Sequence, residues 1–170
     1  ALAAMLAARD QPVKDIISVN STSEQGDKVL TQQFKSKPQY IQDEFKTLLD
    51  SMKKGKTFDN VDLAMYPLVT TAKQKYLMSY FRYPPLRVIR VMKVPTLIIQ
   101  GTTDVQVTVA DAEKLKKAKS DGTLITIKGM NHIMKEAPAD KDANMETYAN
   151  PTLPLKGELV TDIADFIKKN

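Results

Sequence analysis

The sequence predicts an α/β fold built on parallel strands, and three observations predict it. Two short apolar runs, residues 94–100 and 123–127, flank a Lys-rich stretch whose apolar residues recur at helical spacing. A third run, residues 13–20, is β-branched and largely apolar and is followed by polar turn residues. Strands that alternate with helical patterns in this way build parallel sheets, because a parallel neighbour needs a crossover connection. Between the first strand and the other two lies a block, residues 28–92, with helical patterning and no convincing strand.

Residues 1–8, Ala-Leu-Ala-Ala-Met-Leu-Ala-Ala, are apolar on every side, so as a helix they would be buried all round or broken off from something. No basic residue precedes them and Arg9-Asp10 follows directly, which argues against a signal peptide. A chain that opens midway through such a helix reads as a piece of a longer protein. Asp10-Gln11-Pro12 ends that helix, and Ser21 to Gly26 form a loop after the first strand. Pro38 suits a helix's first turn, and Ile41, Phe45, Leu48, Leu49 and Met52 follow at helical spacing until Gly55 supplies a stop. A turn or short helix after Asp59-Asn60 ends before Pro67. A further helix is expected from about Leu68 to Phe81, with Leu68, Ala72, Leu77 and Phe81 among its apolar positions, and Tyr83-Pro84-Pro85 closes it. Leu86 to Met92 is a brief helical or 3₁₀ lead-in to the next strand. Val109, Ala112, Leu115 and Ala118 make one stripe of the Lys-rich helix, expected over residues 108–119. Residues 136–154 read as a long polar loop. Leu159, Ile163, Phe166 and Ile167 give the last helix, residues 156–169, one apolar face.

Composition narrows the function classes. With 42% hydrophobic and 26% charged residues the chain is ordinary for a globular protein. No run approaches the ~20 apolar residues needed to span a bilayer as a helix. With no cysteine and one histidine, disulfides and thiolate metal sites are excluded and a zinc site is disfavoured. The net charge of +5 comes from scattered lysines rather than clustered arginines and aromatics, so it reads as a solvated face and not a nucleic-acid surface.

The chemistry-bearing residues are Asp104 and His132. Asp104 follows the strand at residues 94–100 after Gly101, and His132 follows the strand at residues 123–127 after Gly129. If the two strands are parallel neighbours, both residues emerge at the carboxyl end of one sheet, where ligands of open α/β sheets bind. A histidine acting as a general base needs an acceptor on its second ring nitrogen, and a carboxylate at the adjacent strand end supplies one. The plainer readings are a structural histidine and, for Asp104, an Asx-turn or helix N-cap residue. Met52, Met65, Tyr66, Tyr76, Met78, Tyr80, Phe81 and Tyr83 could line an apolar acyl pocket, although helix packing is the commoner use of such residues.

Val94-Pro95-Thr96-Leu97-Ile98-Ile99-Gln100-Gly101-Thr102-Thr103-Asp104 resembles the seventh strand and triad acid of the α/β-hydrolase family, which commonly shows V-P-T-L-x-x-x-G-x-x-D there. Gly129-Met130-Asn131-His132 is similar to that family's G-x-x-H, the loop carrying the triad histidine. The resemblance implies a partial α/β-hydrolase fold of three parallel strands with flanking helices: residues 1–20 and 93–170 as the core portion, and residues 21–92 as a helical cap insertion. It implies a serine hydrolase that cleaves an ester, or an amide, of a small acyl substrate, with His132 as general base and Asp104 as its orienting acid. It implies no metal or organic cofactor.

One departure stands out. The family's nucleophile sits in a G-x-S-x-G elbow. The glycines here are Gly26, Gly55, Gly101, Gly122, Gly129 and Gly157, and no two are four apart. The elbow would fall just before Ala1. Ser21, at a strand end, has no sign of the N–H donors that acyl transfer needs. A chain cut there would expose the edge of its first strand to self-association or to a complementing fragment. A non-catalytic α/β-hydrolase-like binding or interaction protein is the alternative reading. An unrelated nucleotide-binding α/β domain lacks support, since no strand runs into a Gly-rich phosphate loop.

Overall fold

The computed structural model of the protein describes residues 2, 5–6, 11–63, 65 and 69–170. Most of the helix expected over residues 1–8 lies outside them, as do Tyr66 and the helix start expected at Leu68. In chain order the elements are β1 (Ile16–Val19), α1 (Gly26–Phe34), α2 (Gln39–Lys53), α3 (Thr71–Tyr80), α4 (Pro85–Arg90), β2 (Thr96–Gly101), α5 (Val109–Ala118), β3 (Thr123–Ile127), α6 (Lys141–Glu146), a 3₁₀ turn (Thr147–Ala149) and α7 (Gly157–Lys169). They divide into two compact units, one of residues 1–23 with 85–170, the other of residues 24–84.

The first unit is a three-stranded parallel sheet, ordered β1-β2-β3. Ile16 to Val19 lie opposite Thr96 to Ile99, and Leu97 to Gly101 lie opposite Thr123 to Ile127. The central strand β2 is buried at every position, as expected of a near-continuous apolar run covered on both faces. Burying Leu97, Ile98 and Ile99 stabilises the unit by about 1.5–3 kcal/mol each. Leu97 and Ile99 join Ile127, Met130 and Leu159 in a core that Ile17, Val19, Ile125, Met134, Ile163 and Phe166 complete. Thr96, Ile98 and Gln100, which alternate with them, are as deeply buried, and α5 packs along β2 and β3.

A capping box starts α5. The Thr108 hydroxyl accepts from the Asp111 N–H at 3.3 Å, and the Asp111 carboxylate accepts from the Thr108 N–H at 3.2 Å and hydroxyl at 2.7 Å. Ala112 and Leu115 are buried, with Val109 and Ala118 half-buried at the rims of the stripe. Just past the helix, Lys119 is buried, and its ammonium donates to the Met92 carbonyl at 3.0 Å and pairs with Asp121 at 2.7 Å.

The second unit has its own core, in which Phe34, Ile41, Phe45, Leu48, Leu49, Met52, Met65, Val69, Leu77 and Phe81 pack together. Phe34 and Phe45 stack with ring centroids 4.0 Å apart. Met52, Met65 and Phe81, considered above as pocket residues, are therefore core residues.

Helix α1 is an element the sequence did not single out, because its buried positions, Gly26, Asp27 and Phe34, make no apolar stripe. Asp27 is held there by a 2.6 Å ion pair with Lys53. Helix α3 is capped by Thr70, whose hydroxyl accepts from the Lys73 N–H. Ala72 is exposed, and the buried residue of that turn is Gln74. The Gln74 amide donates to the Phe58 carbonyl and accepts from the Phe58 N–H, both at 2.8 Å, so a polar side chain outcompetes alanine by completing a backbone pair. Ile167 is 48% exposed rather than on the packed face of α7. Residues 136–154 are not all loop, since α6 and the 3₁₀ turn form within them.

Candidate active site

Strand β2 ends at Gly101, and the reason for glycine is steric. A Cβ there would stand 2.0 Å from the Met130 carbonyl oxygen. The close approach lets the two strand-end loops join directly: the Thr102 N–H donates to Ile127 at 3.0 Å and the Thr103 N–H to Met130 at 3.2 Å.

Asp104 follows, and its two oxygens do different things. Oδ1 accepts from the N–H groups of Gln106 at 2.8 Å and Val107 at 2.9 Å, which closes an Asx turn. Oδ2 lies 2.8 Å from His132 Nδ1, with the Gln100 amide 3.3 Å away on the same oxygen. The structure thus brings Asp104 and His132 together, and it also makes Asp104 a turn residue. It is not the helix cap, which is Thr108.

His132 is reached through Gly129, whose φ of +71° turns the chain out of the sheet. Beyond it Met134 also takes a positive φ of 64°, tying its N–H to the Asn131 carbonyl at 3.0 Å. The Asp104 side chain is wholly buried, while 31% of the His132 side chain is exposed. A carboxylate against Nδ1 favours the tautomer that carries its proton there. That tautomer leaves the lone pair on the other nitrogen, Nε2.

Sequence reasoning missed Asn20. It stands just past β1 with φ of 47°, a conformation asparagine tolerates better than most residues. Its amide donates to the carbonyls of Asn131 at 2.9 Å and His132 at 3.2 Å, and its Oδ1 accepts from the Gly101 N–H at 2.9 Å. One side chain therefore ties the ends of β1 and β2 to the histidine loop. The only signal in the sequence was an asparagine at a strand end. Ser21, beside it, receives the Ser18 hydroxyl at 2.7 Å and donates to the Val19 carbonyl.

Ser23 links the β1 end to α5, donating through its N–H at 3.0 Å and its hydroxyl at 2.6 Å to Asp111. Burial pushes the Asp111 carboxyl up. Hydrogen bonds from the side chains and backbone of Ser23 and Thr108 outweigh this and hold it below the usual carboxylate range. Among the described residues no three His, Asp or Glu side chains converge as a metal site, and no helix is long and apolar enough to cross a membrane. A cleft of about 270 Å³, lined by Pro95, Thr96, Thr123 and Phe166 among others, opens at the amino ends of β2 and β3, the end of the sheet away from Asp104 and His132.

The fold and site define a parallel α/β unit that presents a carboxylate–imidazole pair at the carboxyl ends of adjacent strands. No protein-family model matches the chain, and no curated protein matches it in sequence. Among solved structures it is similar to α/β-hydrolases. One is the esterase domain of a Rhodothermus marinus protein (14% identity, TM-score 0.47, covering 85% of this chain and 52% of that one). Another is CarC, a serine hydrolase involved in carbazole degradation (17%, 0.45, 99% and 60%). A third is the enol-lactonase of Burkholderia xenovorans LB400 (17%, 0.44, 96% and 60%). The chain spans between half and two thirds of the length of these structures. The likeness concerns the course of the chain, not what those proteins act on.

Proposed function

We propose that the chain carries the acid–base half of a serine hydrolase. His132 takes the proton of a serine hydroxyl as it attacks an ester or amide carbonyl, then returns it to the leaving group. Asp104 holds the ring in the tautomer this requires. The serine and its oxyanion hole come from sequence outside these residues, the substrate is a small ester or acyl compound, and residues 21–92 form a helical cap insertion. The single observation that carries the reading is the 2.8 Å contact between His132 Nδ1 and the buried Asp104 carboxylate at adjacent strand ends. Among the described residues β1 lies at one end of the sheet, and its outer edge is proposed to pair with a complementing fragment or with a second copy.

The test is turnover of short-chain p-nitrophenyl esters by the longer protein. Changing His132→Ala is expected to lower kcat by roughly 10⁴–10⁶, the range for losing a triad member. Unchanged turnover would end the assignment. The 170-residue chain alone, lacking a nucleophile elbow, is expected to hydrolyse these esters no faster than buffer.

A further inference from the structure

Behind the Asp104–His132 pair lies a cluster of buried amides that neither residue's chemistry requires. Asn144 of α6 and Asn131 are both 0% exposed. The Asn144 amide nitrogen donates to the carbonyls of Thr103 at 2.8 Å and Pro138 at 2.9 Å. Its Oδ1 receives the Asn131 amide at a longer 3.4 Å. Asn131 in turn donates to the Thr147 hydroxyl at 2.8 Å, and that hydroxyl donates to the Asn144 carbonyl at 2.6 Å. The Asn131 Oδ1 accepts from the Lys135 N–H at 3.1 Å.

Thr103 and Asn131 are the residues immediately before Asp104 and His132. Asn144 therefore grips the backbone next to the acid and the side chain next to the histidine with one rigid amide. Packing alone would be served by leucine, which fills similar space without the cost of burying an amide. A buried asparagine that bonds both strand-end loops, and is itself anchored on the Pro138 carbonyl, is suited to fixing their separation. We propose that Asn144 is a positioning residue that sets the acid–imidazole geometry, with Asn131 and Thr147 as its relay. The inference rests on reading Asp104 and His132 as an acid–base pair. Small displacements matter in such pairs, since a misplacement of about 1 Å can cost on the order of 100-fold in rate.

The test uses the whole chain, whose single histidine makes every imidazole ¹⁵N signal that of His132. In the unaltered protein the ring is expected as one tautomer, with Nδ1–H protonated and protected from exchange. Asn144→Leu is expected to lose that protected signal and give a mixture of tautomers. Leu159→Ala, which opens a cavity in the same unit's core, is expected to lower stability and keep the signal. Thr147→Val, a conservative change in a half-buried residue, is expected to weaken the protection in the same direction and covers the case in which Asn144→Leu does not fold. The proposal is overturned if a folded Asn144→Leu chain keeps the single protected tautomer. It is overturned equally if Leu159→Ala loses the signal as fully, or if a folded Thr147→Val chain is unchanged where Asn144→Leu does not fold. Ester turnover of the longer protein separates the two ideas: a lost signal without any His132-dependent turnover leaves Asn144 as a positioning residue and sinks the hydrolase reading.

Discussion

Gly101 and Asp111 show how individual residues set the shape of the site. At Gly101 the obstacle to any side chain is backbone, the Met130 carbonyl, and not a flexible neighbour that could swing away. Gly101→Ala must separate the two strand-end loops, and it is expected to destabilise the chain by about 1–3 kcal/mol, read by chemical unfolding. Asp111 ties α5 to Ser23 and holds its own helix cap. Because its carboxyl lies below the ordinary value of 3.8, its contribution is complete above that pH and is lost as pH falls through the depressed value. The Tm gap between the native chain and Asp111→Asn is therefore expected to narrow as the buffer is taken from neutral to below pH 3.8. A gap that stays constant would mean the carboxylate's charge is not what matters. Asp104 and His132 were legible because each is a chemically special residue placed just after a strand and a glycine. Asn20 and Asn144 were not. Asparagine is common in loops, and the Asn20–Asn131 contact joins residues 111 positions apart, a separation no local pattern encodes.

Elements were legible in proportion to how far burial followed periodicity. Helix α2 follows it closely, with Ile41, Phe45, Leu48, Leu49 and Met52 its buried positions, and the apolar run of β2 is buried throughout. Helices α1 and α3 do not, because polar side chains do part of the packing. Asp27 is buried by its ion pair with Lys53, and Gln74 by its two bonds to the backbone of Phe58. Gln74→Leu keeps the volume but leaves the Phe58 N–H and carbonyl without these partners. It is expected to cost about 1–3 kcal/mol in stability, measured by urea titration. A neutral result would show that solvent replaces the amide freely. The stretch of residues 136–154 defeated the reading for the opposite reason. Its polar composition looks solvated, yet Asn144 and Ala137 are buried within it. Asn144 bonds the Thr103 carbonyl and the Asn131 amide, and the Ala137 N–H donates to the Gly129 carbonyl, so both are tied to the strand-end loops.

For the whole molecule, the sequence pattern anticipated three parallel strands, and the structure orders them β1-β2-β3. Helices α1, α2 and α3, between β1 and β2, form most of a second compact unit over residues 24–84. Because β1 lies at one end of the sheet, the chain is expected to self-associate at micromolar concentration in sedimentation velocity. A single monomer boundary together with a sharp thermal transition would contradict that. The central claim concerns the pair itself, and double-mutant kinetics on the longer protein test it most directly. Asp104→Asn is the informative change. Its remaining oxygen can keep the turn to Gln106 and Val107, while its amide faces His132 with a donor where an acceptor is needed. Residues that act as one catalytic unit are strongly non-additive. The prediction is a drop of about 10⁴ in kcat for Asp104→Asn, with the double variant Asp104→Asn/His132→Ala falling no further than His132→Ala alone. Independent, multiplying losses, or a single variant with full turnover, would contradict the account.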